Sequence, residues 1–109
     1  MATLTTAAIT PAGTDPAFVA ATGAGDKVVP GDTTYLHVKN ASGVSVTVTI
    51  TAVGLCSQGS THSSVVAVPA GADRVIGPIT GSRFAAVSDG LAAVTYSAVT
   101  SVTVAACRL

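Results

Sequence analysis

Residues 35–50 read YLHVKNASGVSVTVTI, and their alternation decides the fold class. In YLHVKN, Leu36 and Val38 fall on one side, with Tyr35, His37 and Lys39 on the other. After Ala41-Ser42-Gly43 the pattern resumes: Val44, Val46, Val48 and Ile50 share one face, and Ser45, Thr47 and Thr49 share the other. A period of two is that of a strand, whose successive side chains point to opposite faces of a sheet. Two such runs flanking Asn-Ala-Ser-Gly predict a β-hairpin.

The same grammar continues downstream. VVAV (65–68), RVIGPI (74–79) and SVTVAACRL (101–109) read as strands, with PAGAD (69–73) as a turn. RFAAVS (83–88) and LAAVTYS (91–97) flank Asp89-Gly90, a tight-hairpin signal. The composition agrees. Apolar residues make up 49% of the 109-residue chain and charged residues 9%, with neither Glu nor Trp, and β-branched Val and Thr dominate. The expected fold is all-β: an antiparallel β-sandwich or small β-barrel of about seven or eight short strands with an extended N-terminal arm. Residues 1–30, broken by Pro11, Gly13, Pro16, Gly23, Gly25 and Pro30, read as that arm, with TLTTAAIT (3–10) long enough for one short strand. Residues 31–109 form the expected sandwich domain.

Five basic and five acidic residues cancel, and Lys27, Lys39, Arg74, Arg83 and Arg108 are scattered singly. Phosphate binding calls for clustered cations, so no nucleic-acid partner is expected. Every apolar stretch is interrupted well short of the roughly 20 residues of a membrane helix, so no membrane partner is expected either. The start, MATLTTAAITPAG, lacks the basic and continuously apolar regions of a signal peptide. A weakly charged surface gives little protection against association, so a homo-oligomer or larger assembly is expected.

Catalysis needs titratable groups brought together. His37 falls on the polar side of a strand and His62 in the Ser/Thr-rich loop GSTHSS (59–64), with no His-x-His or Cys-x-x-Cys spacing for a metal. A Ser–His–Asp set drawn from that loop lacks the G-x-S-x-G elbow. ATGAGD (21–26) has glycines but lacks the following Lys-Ser/Thr of a phosphate cradle. Asp26, Asp32 and Asp89 stand beside glycines as turn residues, and Asp73 adjoins Arg74. Phe18, Tyr35, Phe84 and Tyr96 are too few for a stacking platform. The expectation is therefore no enzyme, no cofactor and no metal. Cys56 and Cys107 read as two free, partly buried thiols or as one bridge tying the central loop to the last strand.

The order of YLHVKN, VTVTI, VPAGADRVIGPI (68–79) and the closing VTYSAVTSVTVAACRL (94–109) resembles small head decoration, or capsid cement, proteins of tailed phages infecting actinobacteria. The likeness covers about half of the chain and omits residues 51–63. It implies a virion protein, assembled in the host cytoplasm, that binds the outside of the mature head and stabilises the shell, often as a trimer, with the major capsid protein as partner. On that reading the loosely held residues Ala2, Thr3, Leu4, Thr5, Thr6, Ala7, Ala8 and Ile9 are the expected capsid contacts. Thr95, Ser97 and Thr103 are the expected contacts with a sister subunit. The alternatives are a head–tail joining or tail protein and, in another class, a surface carbohydrate-binding or adhesion module.

Overall fold

Apolar alternation places one face of each long strand in a shared interior, and two sheets enclose it. The computed structural model describes residues 2–16, 18–53, 63–86 and 89–109. Among these, the strands are β1 (Ala2–Thr3), β2 (Thr6–Ala8), β3 (Val19–Ala20), β4 (Asp26–Val28), β5 (Thr34–Asn40), β6 (Val46–Ile50), β7 (Ser64–Val68), β8 (Asp73–Ile76), β9 (Ala92–Tyr96) and β10 (Val102–Arg108). One helical turn, α1 (Gly81–Phe84), precedes β9. The first sheet runs β1-β4-β9-β6-β7; the second runs β2-β10-β5-β8, with β3 also pairing β10. The fold is an all-β sandwich.

Leu36 and Val38 of β5, Val46, Val48 and Ile50 of β6, Val94 of β9 and Val102 and Val104 of β10 are all buried between the sheets. The closing run 94–109 is paired as expected. Its two strands, β9 and β10, each lie between neighbours rather than at an edge. Val102 and Val104 face the core, while Thr103 faces outward and is half-buried.

The expected hairpin at residues 35–50 is corrected by the topology. The strands form with the predicted faces, but β5 belongs to the second sheet and β6 to the first, so the link between them is an arch across the core. At the start of the arch stands Asn40, which is 1% exposed. Its Nδ2 donates to the carbonyls of Val44 (2.8 Å), Val68 (3.0 Å) and Pro69 (3.3 Å). Its Oδ1 accepts from Ser42 N (3.0 Å) and Ser42 Oγ (2.6 Å). These bonds help to satisfy the backbone where the chain leaves one sheet for the other. Val44, counted with the core face, precedes β6 and is 62% exposed. The PAGAD turn forms as predicted, with Ala72 N donating to Pro69 O, and it too joins strands of different sheets, β7 and β8.

The expected division at residue 30 also gives way. Residues 2–28 supply four strands to the sandwich, β1 and β4 to the first sheet and β2 and β3 to the second. β1 runs parallel to β4, and β2 runs parallel to β10. Leu4, between β1 and β2, enters the core at 6% exposure, and its N–H bonds Lys27 O at 2.8 Å. Strands of two or three residues are too short to show a period, and this segment reads as loop for that reason. RFAAVS makes α1 and a single bridge, Ala85 to Ala92, rather than a strand; residues 87 and 88 lie outside the described residues. β8 ends at Ile76, just before Gly77, where a side-chain carbon would stand 2.7 Å from Tyr35 Cβ. The Gly77–Pro78 peptide is cis.

Candidate functional site

Three surfaces carry chemistry that burial alone does not use. The first is a groove beside β10. Its free edge is covered by β3 opposite Thr103 and Val104 and by β2 from Ala106 onward. Between these two short strands opens a groove of about 340 Å³, walled by Leu4, Val19, Ala20 and Val104–Ala106 with Thr3, Thr5 and Thr22, and reaching Asp26. Asp26 is fully buried. Tyr96 donates its hydroxyl to Asp26 Oδ2 at 2.8 Å, and Thr22 N donates to the same oxygen at 3.3 Å. Oδ1 has no partner among the described residues. An acceptor left empty in such surroundings costs about 1–3 kcal/mol, more for a charged group. Burial, then the bond to Asp26, pushes ionisation of the Tyr96 hydroxyl far above the ordinary tyrosine range. It stays a donor at any ordinary pH. Sequence reading placed Asp26 in a turn. It does serve the turn through Thr22, but the strand alternation of Asp26, Lys27 and Val28 also turns it inward.

The second surface is the outer side of β5. His37 Nε2 donates to Asp73 Oδ2 at 2.7 Å, joining β5 to β8. Phe18 meets the His37 ring edge-on with centroids 5.0 Å apart, and Lys39 Nζ lies 4.2 Å from the Phe18 centroid. The segment joining β2 to β3 therefore crosses the outer face of the second sheet. Ala105, paired with His37, faces outward there yet is only 3% exposed. The bond to His37 holds the Asp73 carboxyl below the usual carboxylate range, and Lys27, through an ion pair, does the same for Asp89. Asp89 also caps Leu91 N at 3.0 Å. Three of the aspartates read as turn residues thus have side-chain partners, which lie 70, 36 and 62 positions away in sequence. No local pattern announces such pairs.

The third surface is the flank where both sheets end. β7 and β8, joined by residues 69–72, are the terminal strands of the two sheets on that side. Val65 is 63% exposed and Val75 60% exposed, one on each strand. β7 carries no charge and no proline, the usual protections of an edge. On β8, Arg74 Nη1 folds back to the Asp73 carbonyl at 2.7 Å.

The expected contact residues do not form one surface. Ala2 and Thr3 lie in β1, Leu4 is in the core, and Thr6, Ala7 and Ala8 form β2, the last three half-buried. Thr5 and Ile9 are exposed, with Ile9 N bonded to Arg108 O. The reason for choosing this segment, that little holds it, is removed by these pairings. Thr95 faces out from the first sheet and Thr103 from the second, so the two occupy opposite sides of the sandwich. Ser97, just past β9, accepts from Thr47 N through Oγ at 2.8 Å. Cys107 is buried on β10; Cys56 and His62 lie outside the described residues, and with them the proposed bridge. Among the described residues no three His, Cys, Asp or Glu side chains gather as a metal site would require. No helix among them is long and apolar enough to cross a membrane.

Searches against protein-family models, curated proteins and solved structures return no match to this chain.

Proposed function

We propose that the chain is a structural protein of a phage head that attaches to the outside of the shell and cements neighbouring capsid subunits. The shell is suggested by the resemblance of residues 34–50, 65–80 and 94–109 to head decoration proteins. The observation that supports attachment is the β7–β8 flank, with Val65 and Val75 exposed on the terminal strands of both sheets. An edge strand offers a row of backbone donors and acceptors that a strand of another chain can complete. A weak contact of this kind becomes strong when symmetry repeats it over a shell. The proposed partners are the major capsid protein and further copies of this chain, with a trimer as the favoured assembly.

Quantitative mass spectrometry of purified virions tests the reading. Shell decoration predicts a ratio to the major capsid protein between about one to three and one to one, as symmetry-repeated binding requires. A stoichiometry near a dozen copies per particle would instead assign the chain to the neck or tail. Its absence from the particle would refute a virion role, and a carbohydrate or Ca²⁺ screen by thermal shift would follow.

A further inference from the structure

We infer that the groove beside β10 is a binding site for a primary alkylammonium group, the chemistry of a small amine or of a lysine side chain. Three observations converge on it. The walls formed by Leu4, Val19, Ala20 and Val104 are apolar, and the volume of about 340 Å³ far exceeds the roughly 10–15 Å³ that holds one water. Asp26, whose carboxyl is fully buried, is among the residues that line the groove. That carboxyl spends both of its visible bonds on Oδ2 and leaves Oδ1 without a partner among the described residues.

A ligand matched to this arrangement has a compact donor head and a short apolar stem. A cationic head is favoured over a neutral one, because a hydrogen bond from an ionised donor is about twice as strong as one between neutral groups. The molecule's own nearby cation does not fill the role. Lys27 follows Asp26 in β4, but alternation turns it to the opposite face, where it pairs with Asp89. Lysine suits such a groove as a side chain, since its stem packs on apolar surface while its head seeks a charge. The inference does not depend on a role in a capsid.

The test is a titration of the ¹⁵N-labelled full chain with n-butylammonium chloride, followed through the amides of Val19 and Val104–Ala106. Saturable shifts at these positions are expected, with an affinity at least tenfold above that for n-butanol. Asp26→Asn, which keeps an oxygen for Tyr96 to donate to, should weaken the binding at least tenfold. Ala20→Trp, at an exposed wall position, should block it while preserving Asp26. Equal response to butylammonium and butanol, undiminished binding by both variants, or no perturbation at the groove would overturn the proposal and leave a water-filled groove. A second arm uses acetyl-Gly-Lys-Gly-amide. Binding of this peptide at the same amides supports the site and assigns it to a partner's lysine. Binding of the free amine alone supports the site and assigns it to a small molecule.

Discussion

Replacing Asn40 should cost more than replacing many of the apolar residues around it. Asn40→Ala removes four hydrogen bonds of 3.0 Å or shorter, two donated to Val44 O and Val68 O and two accepted from Ser42. Ser42 is only half-buried and Val44 is exposed, so water can replace part of what is lost there. The Val68 carbonyl end is buried. The Val68 carbonyl keeps Ser45 Oγ at 3.5 Å, so counting about 1 kcal/mol for each of the four bonds, less what water restores, gives a loss of about 3 kcal/mol. For a domain near 100 residues that corresponds to a fall of roughly 12–20 °C in Tm.

Asn40→Asp is the sharper probe. It keeps the acceptor for Ser42 but turns a second carboxylate oxygen toward the Val44 and Val68 carbonyls, so at neutral pH it should be at least as damaging as the alanine variant. Facing carbonyl oxygens in a buried place raises the folded-state pKa of the new carboxyl above its unfolded value of about 3.9. The protonated form therefore folds better, and this variant alone should regain stability as pH falls toward 4. The chain has no Trp and two Tyr, so urea unfolding is best followed by far-UV circular dichroism. The slope m should be unchanged, since the surface exposed on unfolding is the same. An alanine variant within about 0.5 kcal/mol of the parent, or an aspartate variant equal to it at pH 7, would refute the assigned role of Asn40.

Three further outcomes are expected. Tyr96→Phe leaves Asp26 with Thr22 N as its remaining donor and should lose about 1–3 kcal/mol in urea unfolding, the range for removing one partner of a buried polar group. Asp73 and Asp89 have depressed carboxyl pKa values in the folded state, so the stability they lend is complete above the unfolded value and is lost as pH falls through the folded one. Asp73→Asn and Asp89→Asn should each flatten the acid limb of the stability profile below about pH 4. Val65→Lys, at an exposed position of β7, should change stability by no more than about 0.5 kcal/mol yet reduce binding to purified heads at least tenfold, read by co-sedimentation.

The two-residue period made the strands and their faces legible, but not the sheet to which each strand belongs. Leu36, Val38, Val46, Val48 and Ile50 face the core as the alternation predicts. Alternation is blind to whether consecutive strands pair or arch over, because both arrangements bury the same residues. At 35–50 the arch is bonded through the amide of Asn40, a residue that in sequence looks like ordinary turn chemistry. The N-terminal segment was illegible for a different reason. β1 and β2 are held by parallel pairing to β4 and β10, and only Leu4 marks their path through the core. Partners so distant leave no trace in a local window. The same applies to Asp26 and Tyr96, separated by 70 positions and joined only once β4 lies beside β9.

The placement of small residues links this topology to the proposed contacts. β10 is buried on both faces over Ala105–Cys107, since the segment carrying Phe18 crosses its outer side while the core lies beneath. Only small side chains fit under such a cover, which accounts for the Ala-Ala-Cys run where Val and Thr alternate just before it. The two flanks of the sandwich therefore differ in kind. On the β10 side the edge is closed by the chain's own β2 and β3, apart from the groove above Asp26. On the β7–β8 side, among the described residues, both sheets end on strands with exposed valines, Val65 on β7 and Val75 on β8, the latter beside exposed Asp73 and Arg74. An edge left in that state is a liability for a chain in free solution and an asset for one whose partners arrive in a fixed array. On the capsid reading proposed above, Val65 is the residue on which to test that flank.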